Sequence, residues 1–277
     1  YCPIAEFPFL PLVPLVVHVH DLHPLRFPQQ FGLASTYFRL SLFFMPHCVS
    51  RITVSSSFVK RELMDVTGLS GDLIDVAPLA YDRDVYFPRG GDERSGFLMK
   101  YGLPEKYILC AGNLFPYKNV PTLIDAFLRI RHLIDHHLVV VGRRDYARDP
   151  LPADERIHYT DYVPIGDMPM FYSFADLFVH PSTSEGFGIT PLEAMACGTP
   201  VVSSNAASLP EVIGDGGLLF DPGDGDALSR IIVNVLQDRA LQRDLRQRGL
   251  KQAEKFSWEK TAELILQSCE RAAGGKE

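Results

Sequence analysis

Two glutamates flank one short turn of the sequence, in a spacing that suits sugar binding. Glu185 and Glu193 are separated by seven residues, and Gly186 and Gly188 lie in the turn between them. An ionised carboxylate only accepts hydrogen bonds, so it can hold sugar hydroxyls, and glycines let the backbone approach a ligand closely. The structural alternative is that Glu185 is solvated and that Glu193 only closes a helix cap.

The elements around this turn place it where α/β proteins bind ligands. Residues 177–180 have the pattern of a buried strand, and residues 190–193 (TPLE) form a capping box with proline at the first helical position. We therefore predict a helix that begins at Thr190 and ends at Gly198. The turn joins the carboxyl end of a strand to the amino end of a helix, where unpaired N–H groups suit a phosphate.

A second candidate phosphate loop follows the predicted strand 107–111. Residues 112–119 (GNLFPYKN) precede a helix that Asn119 can cap. Lys118 lies at that junction and can reach a phosphate. The structural alternative is an ordinary surface lysine.

Length and composition indicate a globular protein of two domains. The 277 residues exceed one typical domain, and 46% of them are hydrophobic and 22% charged. The net charge of −7 and the dispersed lysines and arginines argue against nucleic acid as the main partner. Five cysteines without a C-x-x-C pair disfavour a disulfide framework and a zinc site, so we expect the protein to reside in the reducing cytoplasm. The longest apolar stretch, 7–17, is broken by prolines and is too short to cross a bilayer.

Short apolar runs alternate with helical patterns along the chain, which is typical of βαβ units and a parallel sheet. The predicted strands are residues 15–18, 52–55, 74–77, 107–111, 138–141, 157–159, 177–180, 200–203 and 217–220. The polar, glycine-bearing segment 81–96 predicts a domain boundary. Because three strands precede it and six follow it, and because residue 1 is not methionine, we expect the first domain to lack its beginning.

The segment 175–212 (ADLFVHPSTSEGFGITPLEAMACGTPVVSSNAASLPEV) resembles the Glu-x7-Glu signature of retaining glycosyltransferases of family 4. The resemblance covers nearly all of residues 97–258. It implies an α/β protein with two Rossmann-like domains of the GT-B type, the first incomplete and the second a complete parallel sheet of about six strands. It implies a partial acceptor-side domain at 1–90, a donor-binding domain at 91–256, and a C-terminal helix at 257–277 that packs toward the first domain.

The resemblance also implies a donor site, residue by residue. Glu185 and the backbone after it would hold the sugar, Glu193 the ribose, the amides at the helix start the diphosphate, and residues 162–163 the nucleobase, although that last pair is equally compatible with plain packing. The implied donor-binding residues are Asn113, Lys118, Tyr162, Val163, Glu185, Gly186, Phe187, Gly188, Ile189, Thr190 and Glu193.

One position departs from the family pattern. The family commonly has an arginine where this chain has Asn113, and a lysine that Lys118 matches. The missing cation would have to be replaced, and Arg143 or Arg144 is the candidate for that role.

The candidate catalytic residues are His20, Lys118 and Glu185, and the histidine is assigned from a further part of the resemblance. The segment VVHVHDLHPLRFP resembles a family strand that ends in a histidine-aspartate pair, which assigns the sugar contact to His20 beside Asp21. His18 and His23 are rivals. The segment ITVSSSFVKREL resembles the family's next strand and its serine-capped helix, which is mostly a structural match.

The implied reaction moves a hexose from a nucleotide-diphosphate sugar to a glycan or lipid-linked acceptor with retention of configuration. The form of the phosphate loop and of the His-Asp-Leu strand end favours GDP-mannose as the donor. The leaving phosphate oxygen would help to deprotonate the acceptor. We expect no metal and no other cofactor, since no D-x-D motif lies in a glycosyltransferase context and the aspartates of the triplet 82–84 are expected to be solvated. We expect a cytoplasmic protein with possible peripheral membrane contact, to which the apolar segment 38–46 would contribute unless it packs in the core. The alternatives are a non-catalytic nucleotide-sugar-binding module, an inactive fragment, and a sugar-nucleotide epimerase or phosphorylase of the same architecture.

Overall fold

The computed structural model describes residues 1–3, 11–147 and 150–274. They form two compact units: Tyr1–Ala80, Glu185–Phe187 and Phe256–Glu277 make the first, and Tyr81–Ser184 and Gly188–Lys255 make the second. Every predicted strand is confirmed to within one residue at either end. The strands are β1 Val16–Val19, β2 Arg51–Val54, β3 Ile74–Val76, β4 Tyr107–Ala111, β5 His137–Val141, β6 Ile157–Thr160, β7 Leu177–His180, β8 Val201–Ser204 and β9 Leu218–Phe220.

The first unit is built on a parallel sheet whose described strands run in the order β1-β2-β3. Its helices are α1 His23–Arg26, α2 Pro28–Phe31, α3 Leu33–Cys48, α4 Ser57–Thr67 and, from the end of the chain, α12 Trp258–Ala272. The apolar faces of the sheet and of α3 and α4 share one core. Ser56 caps α4 by accepting a hydrogen bond from the Val59 amide, which confirms the predicted serine-capped helix.

Helix α3 carries apolar residues on more than one face. Leu42 and Met45 are buried in the core of the first unit, whereas Leu33, Leu40 and Phe43 are exposed. The segment 38–46 therefore contributes to the core and also presents apolar side chains at the surface. Helix α12 packs on β2, and its Arg271 forms an ion pair with Asp75 of β3.

The second unit contains a six-stranded parallel sheet, in the order β6-β5-β4-β7-β8-β9 within the described chain. This is the doubly wound arrangement in which the strand order reverses between β4 and β7, and ligands in such sheets bind outside the carboxyl ends at that point. Its helices are α5 Arg94–Tyr101, α6 Val120–Ile130, α7 Met168–Phe174, α8 Ile189–Ala196, α9 Leu209–Ile213, α10 Gly225–Gln237 and α11 Arg239–Ala253. Strands and helices enclose a core that is separate from that of the first unit.

The segment 81–96, expected as a polar linker, is partly built into the second unit. Tyr81 and Tyr86 are buried, and α5 begins inside the segment at Arg94. The aspartates of the 82–84 triplet are exposed, as expected. Among the described residues, the structure contains no helix that is both long and apolar enough to span a membrane.

Candidate functional site

The amino end of α8 lies beside the point where the strand order of the large sheet reverses. Gly188 is the residue before the helix and has a φ of 114°, which an L side chain adopts only with strain. A Cβ at this position would also lie 2.8 Å from a side-chain carbon of Leu209. Glycine therefore allows the chain to turn sharply from the loop after β7 into α8.

The predicted capping box at this helix is wrong. The helix begins at Ile189, one residue before Thr190, and within the described chain no side chain caps its first turn. Pro191 has no N–H, so the first-turn donors are the amides of Ile189 and Thr190, which the helix itself leaves without acceptors. These amides, together with the helix dipole, favour an anion at this position.

A cavity of about 450 Å³ opens at the carboxyl ends of β4, β5 and β6 in the second unit. Thr190 and Glu193 of α8 form part of its wall. The lining residues are Ala111, Gly112, Asn113, Val141, Gly142, Arg143, Asp161, Tyr162, Val163, Met168, Tyr172, Thr190 and Glu193. The structure thus brings five predicted donor residues to one cavity: Asn113, Tyr162, Val163, Thr190 and Glu193.

The floor of this cavity depends on a close approach of two backbone turns. The Gly112 amide donates to the Val141 carbonyl over 2.9 Å. Gly142 has a φ of 144°, and a Cβ added there would overlap the carbonyl oxygen of Gly112. No side chain fits at Gly142, so glycine is required where the ends of β4 and β5 meet.

Lys118 lies next to the same floor. A Cβ on Gly112 would be 3.9 Å from the Lys118 Cε atom and 4.0 Å from its Nζ atom. The ammonium group is therefore beside a residue that lines the cavity. Asn113, where the family commonly has an arginine, is exposed at the same rim and adds no charge.

Asn119 does not cap α6 as predicted. It stands at the N-cap position with a φ of 55°, and its side chain makes no capping hydrogen bond. Its amide nitrogen instead donates to the Pro222 carbonyl, and its amide oxygen accepts from the Thr122 hydroxyl. The side chain therefore ties the Lys118 loop to the segment after β9.

Both candidate replacement cations are paired with aspartates. Arg143, which lines the cavity, makes two hydrogen bonds to Asp145, and Arg144 makes two of 2.8 Å to Asp161. The arginine partner lowers the pKa of Asp161, which stays ionised. Each arginine's charge is thus offset in this structure, so either would have to exchange its partner to neutralise a bound diphosphate.

Glu193 is hydrogen-bonded to one phenol group and lies near a second. The Tyr172 hydroxyl donates to its Oε2 atom over 3.1 Å, and the ring of Tyr86 lies 6.1 Å from that of Tyr172. Burial raises the pKa of Glu193 from 4.5 to about 7, although the two phenols act in the opposite direction. Glu193 is therefore a partly buried cavity carboxylate that titrates near neutral pH, and not the capping residue of its own helix.

The predicted nucleobase pair separates into an exposed and a buried member. The Tyr162 side chain is 78% exposed at the cavity rim, whereas Val163 is buried. An exposed phenol has no packing role inside the protein, so Tyr162 can stack on a planar ligand. Val163 can only form the apolar wall behind it.

The other predicted site residues belong to the first unit. The segment Glu185–Phe187 is part of this unit, and Glu185 is buried. The Gly186 carbonyl accepts hydrogen bonds from the Ser55 and Ser56 hydroxyls, and a Cβ at Gly186 would overlap the His20 carbonyl oxygen. Phe187 packs edge-to-face against Phe256 with ring centres 5.6 Å apart. Glycine at position 186 is therefore a steric requirement of this contact with the end of β1.

The histidines near β1 differ in their surroundings. His20 is exposed just beyond β1, with its Nε2 atom 3.0 Å from the Pro3 carbonyl oxygen. His18 is buried within β1 against the Thr53 hydroxyl, and burial lowers its pKa to about 3. His23 is buried at the start of α1 beside Asp21. Only His20 has the exposure that a ligand contact requires.

Sequence reasoning missed Tyr86, Tyr172, Met168 and Asp161 as site residues. Tyr172 and Met168 fall in a segment that was recognised only as part of the resemblance, and Tyr86 falls in the segment expected to be a linker. No local pattern marks a tyrosine as the partner of a glutamate far along the chain. Among the described residues, no group of three or more histidines, cysteines, aspartates and glutamates is arranged to hold a metal ion.

Known proteins similar to this chain include two O-antigen enzymes. "O-antigen chain mannosyltransferase B" of Escherichia coli is 40% identical over 218 residues, which are 75% of this chain and 57% of the relative. "O-antigen chain mannosyltransferase RfbU" of Salmonella typhimurium is 30% identical over 231 residues, 80% of this chain and 60% of the relative. The chain thus spans somewhat more than half the length of these two relatives.

The fold is shared with solved glycosyltransferase structures. A crystal structure of Anabaena HepE in complex with UDP and glucose aligns over 93% of this chain and 71% of its own, with a TM-score of 0.76 and 22% identity. The architecture is accordingly the α/β GT-B fold. Residues 100–252, more than half of the chain, match the family described as glycosyl transferases group 1. This chain belongs to the group 1 glycosyltransferases.

Proposed function

We propose that the whole protein is a retaining glycosyltransferase of family 4 that transfers a hexose from a nucleotide-diphosphate sugar. The observation that carries the proposal is the cavity at the strand ends of the large sheet, where Glu193, the start of α8 and Tyr162 meet beside Lys118. A nucleoside diphosphate matches this set, since it presents an aromatic base, ribose hydroxyls and a negatively charged diphosphate. The base would lie on Tyr162 and Val163 and the ribose against Glu193.

The diphosphate would be stabilised by Lys118 and by the amides of Ile189 and Thr190. Fixed positive potential at the place where leaving-group charge develops is usually the largest contribution to catalysis. We propose that these groups make a metal ion unnecessary. Treatment of the whole protein with EDTA should leave turnover unchanged, and restoration of lost turnover by Mg²⁺ or Mn²⁺ would contradict this.

The donor sugar would be held by Glu185 and by the backbone of residues 186–188, with His20 as a further contact. Retention would follow from a reaction on one face of the sugar, in which the leaving phosphate oxygen helps to deprotonate the acceptor. In the whole protein, Glu185→Ala should lower turnover far more than it changes the unfolding midpoint. Unchanged turnover would remove Glu185 from the catalytic set.

Mannose is the proposed sugar and a glycan or lipid-linked molecule the proposed acceptor, because the two similar O-antigen proteins are named mannosyltransferases. HepE was solved with UDP and glucose, so the fold alone does not favour GDP. A thermal-shift panel of guanosine, uridine and adenosine diphosphates on this chain tests the base. A ligand that binds only the folded state raises its apparent stability, and we expect the largest shift with GDP.

Two other activities predict different outcomes in the same measurements. A transferase releases nucleotide only when an acceptor is present, whereas an epimerase releases none and converts the sugar. A non-catalytic module would bind the donor without turnover in the whole protein. A cytoplasmic location and peripheral membrane contact stay predictions.

A further inference from the structure

The loop 112–119 after β4 and the loop after β7 meet at one backbone carbonyl. The Tyr117 carbonyl oxygen accepts a hydrogen bond from the Thr183 amide over 2.7 Å. The hydroxyls of Ser182 and Thr183 each donate to the same oxygen over 3.1 Å. A carbonyl oxygen has two lone pairs, so these three donors saturate it. The residue before Lys118 is therefore fixed to the loop that leads to α8.

The peptide group between Tyr117 and Lys118 is held at both of its polar atoms. Its N–H, which belongs to Lys118, donates to the Phe115 carbonyl over 2.9 Å, while its C=O is held by residues 182 and 183. The ring of Tyr117 is buried and stacks on that of Phe115, with ring centres 5.4 Å apart. The backbone direction from which the Lys118 side chain leaves is therefore fixed.

The other end of this anchor is attached to the large sheet. Ser182 lies just after β7 and is fully buried. Its own carbonyl accepts a hydrogen bond from the hydroxyl of Ser204, the last residue of β8. Its hydroxyl also lies 3.1 Å from the Ser184 carbonyl oxygen, so its one proton is shared between two acceptors. A continuous series of hydrogen bonds thus runs from the end of β8 to the peptide group of Lys118.

A lysine depends on such an anchor more than a rigid side chain does. It carries its charge on a flexible four-carbon stem, so the backbone decides which region the ammonium group can reach. The Lys118 Nζ atom lies 4.0 Å from the position of a Cβ on Gly112, at the floor of the cavity. Electrostatic stabilisation is strongest when the charge is already in place before the reaction. Thr183 is an exposed residue, so water could satisfy its hydroxyl and burial does not require its contact with Tyr117.

We propose that Ser182 and Thr183 are positioning residues whose hydroxyls hold the Tyr117 carbonyl and so direct the Lys118 ammonium group toward the diphosphate of the donor. The inference rests on the proposed function, because it requires a diphosphate beside Lys118. Neither hydroxyl touches the ligand in this arrangement, and both act through Lys118.

The test compares a ligand that carries the diphosphate with one that lacks it. Ser182→Ala combined with Thr183→Val removes both hydroxyls and keeps the amide of residue 183, and calorimetric titration measures GDP and guanosine on wild type and on this double variant. We expect the affinity for GDP to fall about fivefold, the size of one hydrogen bond, and the affinity for guanosine to stay within about twofold. In a Lys118→Ala background, the same two substitutions should leave GDP affinity within about twofold, because the charge through which they act is gone. If UDP gives the larger thermal shift in wild type, UDP and uridine are used in the same way.

Two hydroxyls on other helices provide the matched control. Ser229→Ala on α10 removes a buried hydroxyl that donates to the Gly225 carbonyl over 2.9 Å, and Thr67→Val on α4 removes one that donates to the Leu63 carbonyl over 2.6 Å. This control pair should leave both affinities unchanged. Thr183→Val alone changes an exposed position and keeps the test decisive if the double variant does not fold. It should weaken GDP binding by about twofold and leave guanosine binding unchanged.

The outcomes separate this inference from the proposed function. If wild type binds none of the three nucleoside diphosphates, the proposed function is contradicted and this inference falls with it. If wild type binds one of them but the loss of the hydroxyls weakens the diphosphate and the nucleoside equally, or weakens neither, only the positioning role is overturned. An undiminished effect in the Lys118→Ala background overturns that role too.

Discussion

Glu193 shows how a single carboxylate can take a role that its sequence neighbours do not indicate. Its position three residues after Thr190 suits a capping box, but its side chain bonds to Tyr172, which lies earlier in the chain. Removal from water disfavours the charged form, and the phenols of Tyr172 and Tyr86 offset only part of that cost. The result is a carboxylate whose pKa has been moved toward neutrality at the wall of the cavity.

This raised pKa predicts a pH dependence of folding stability. The folded state binds the Glu193 proton more tightly than the unfolded chain, since the pKa rises from 4.5 to about 7. The stabilisation is therefore complete below about 4.5 and is lost as the pH rises toward 7. Glu193→Gln should remove this slope, so the stability gap between about pH 5 and about pH 8 should shrink by on the order of 2 kcal/mol relative to wild type.

Urea unfolding at the two pH values measures the effect. Glu263→Gln on α12 is the control, because that glutamate is exposed, and it should leave the wild-type slope unchanged. Equal slopes in wild type and Glu193→Gln would show that the carboxylate is ionised without cost in the folded protein.

The position of the Lys118 ammonium group beside the cavity predicts that its charge contributes to diphosphate binding. Lys118→Ala should weaken GDP binding by roughly 10- to 100-fold, the range for charge-assisted contacts, and Lys118→Arg should lose less. Lys106→Ala is a matched control, because Lys106 precedes β4 at the opposite end of the strand and pairs with Asp135. Titration calorimetry at low ionic strength gives both affinities, and a similar loss in the two alanine variants would contradict a local contact at Lys118.

At the level of elements, the ends of β4 and β5 form the rigid base of the site. The two strands pair in parallel register from Tyr107 opposite His137 to Ala111 opposite Val141. Their glycine turns then meet so closely that one backbone excludes any side chain on the other. The loops that carry Asn113 and Arg143 therefore leave the sheet from fixed points, which a binding site benefits from.

This contact predicts a large effect of a small substitution. Gly142→Ala should destabilise the protein by about 3 kcal/mol or more, because the added methyl group overlaps backbone and the φ is unfavourable. Gly166→Ala is the control, since nothing lies within 4 Å of the position of its Cβ and its φ is not positive. Thermal unfolding midpoints of the two variants test this prediction, and equal midpoints would mean that the two turns can move apart to accept the methyl group.

At the level of the whole molecule, the two units rely on different hydrophobic cores. The first core is assembled from β1, β2 and β3 with α3 and α4, and α12 covers the same sheet although it is the last helix of the chain. Asp75 is bonded to Arg51 and to Arg271 of α12, so residues nearly two hundred positions apart share one ion pair network. The second core is closed by its own helices.

Removal of α12 should therefore affect one unit selectively. A chain that ends at Lys255 should lose hydrogen-exchange protection at the amides of β1 to β3 by about tenfold or more, and amides of β4 to β9 should keep theirs. Mass-spectrometric exchange of both chains provides the comparison. Unchanged protection in β1 to β3 would show that α12 adds nothing to that sheet.

The alternation of apolar runs and helical patterns determined the nine strands of the described ranges and their parallel class, because a buried parallel strand is a short continuous apolar run whatever surrounds it. The same local chemistry placed Gly198 in a left-handed conformation after α8 and Ser56 at the start of α4. Asn113 and Val163, which lie in turns that line the cavity, could likewise be named from the sequence through its resemblance to the family.

Only the tertiary structure decided which distant groups share a site. Glu193 bonds to Tyr172 instead of capping its helix, Arg144 bonds to Asp161, and Gly142 abuts Gly112. Each of these contacts joins side chains or turns that are far apart in the sequence, and neither the helical nor the strand periodicity predicts that they meet. They are fixed by the packing of the sheet and its helices, which brings strand ends together irrespective of their order in the chain.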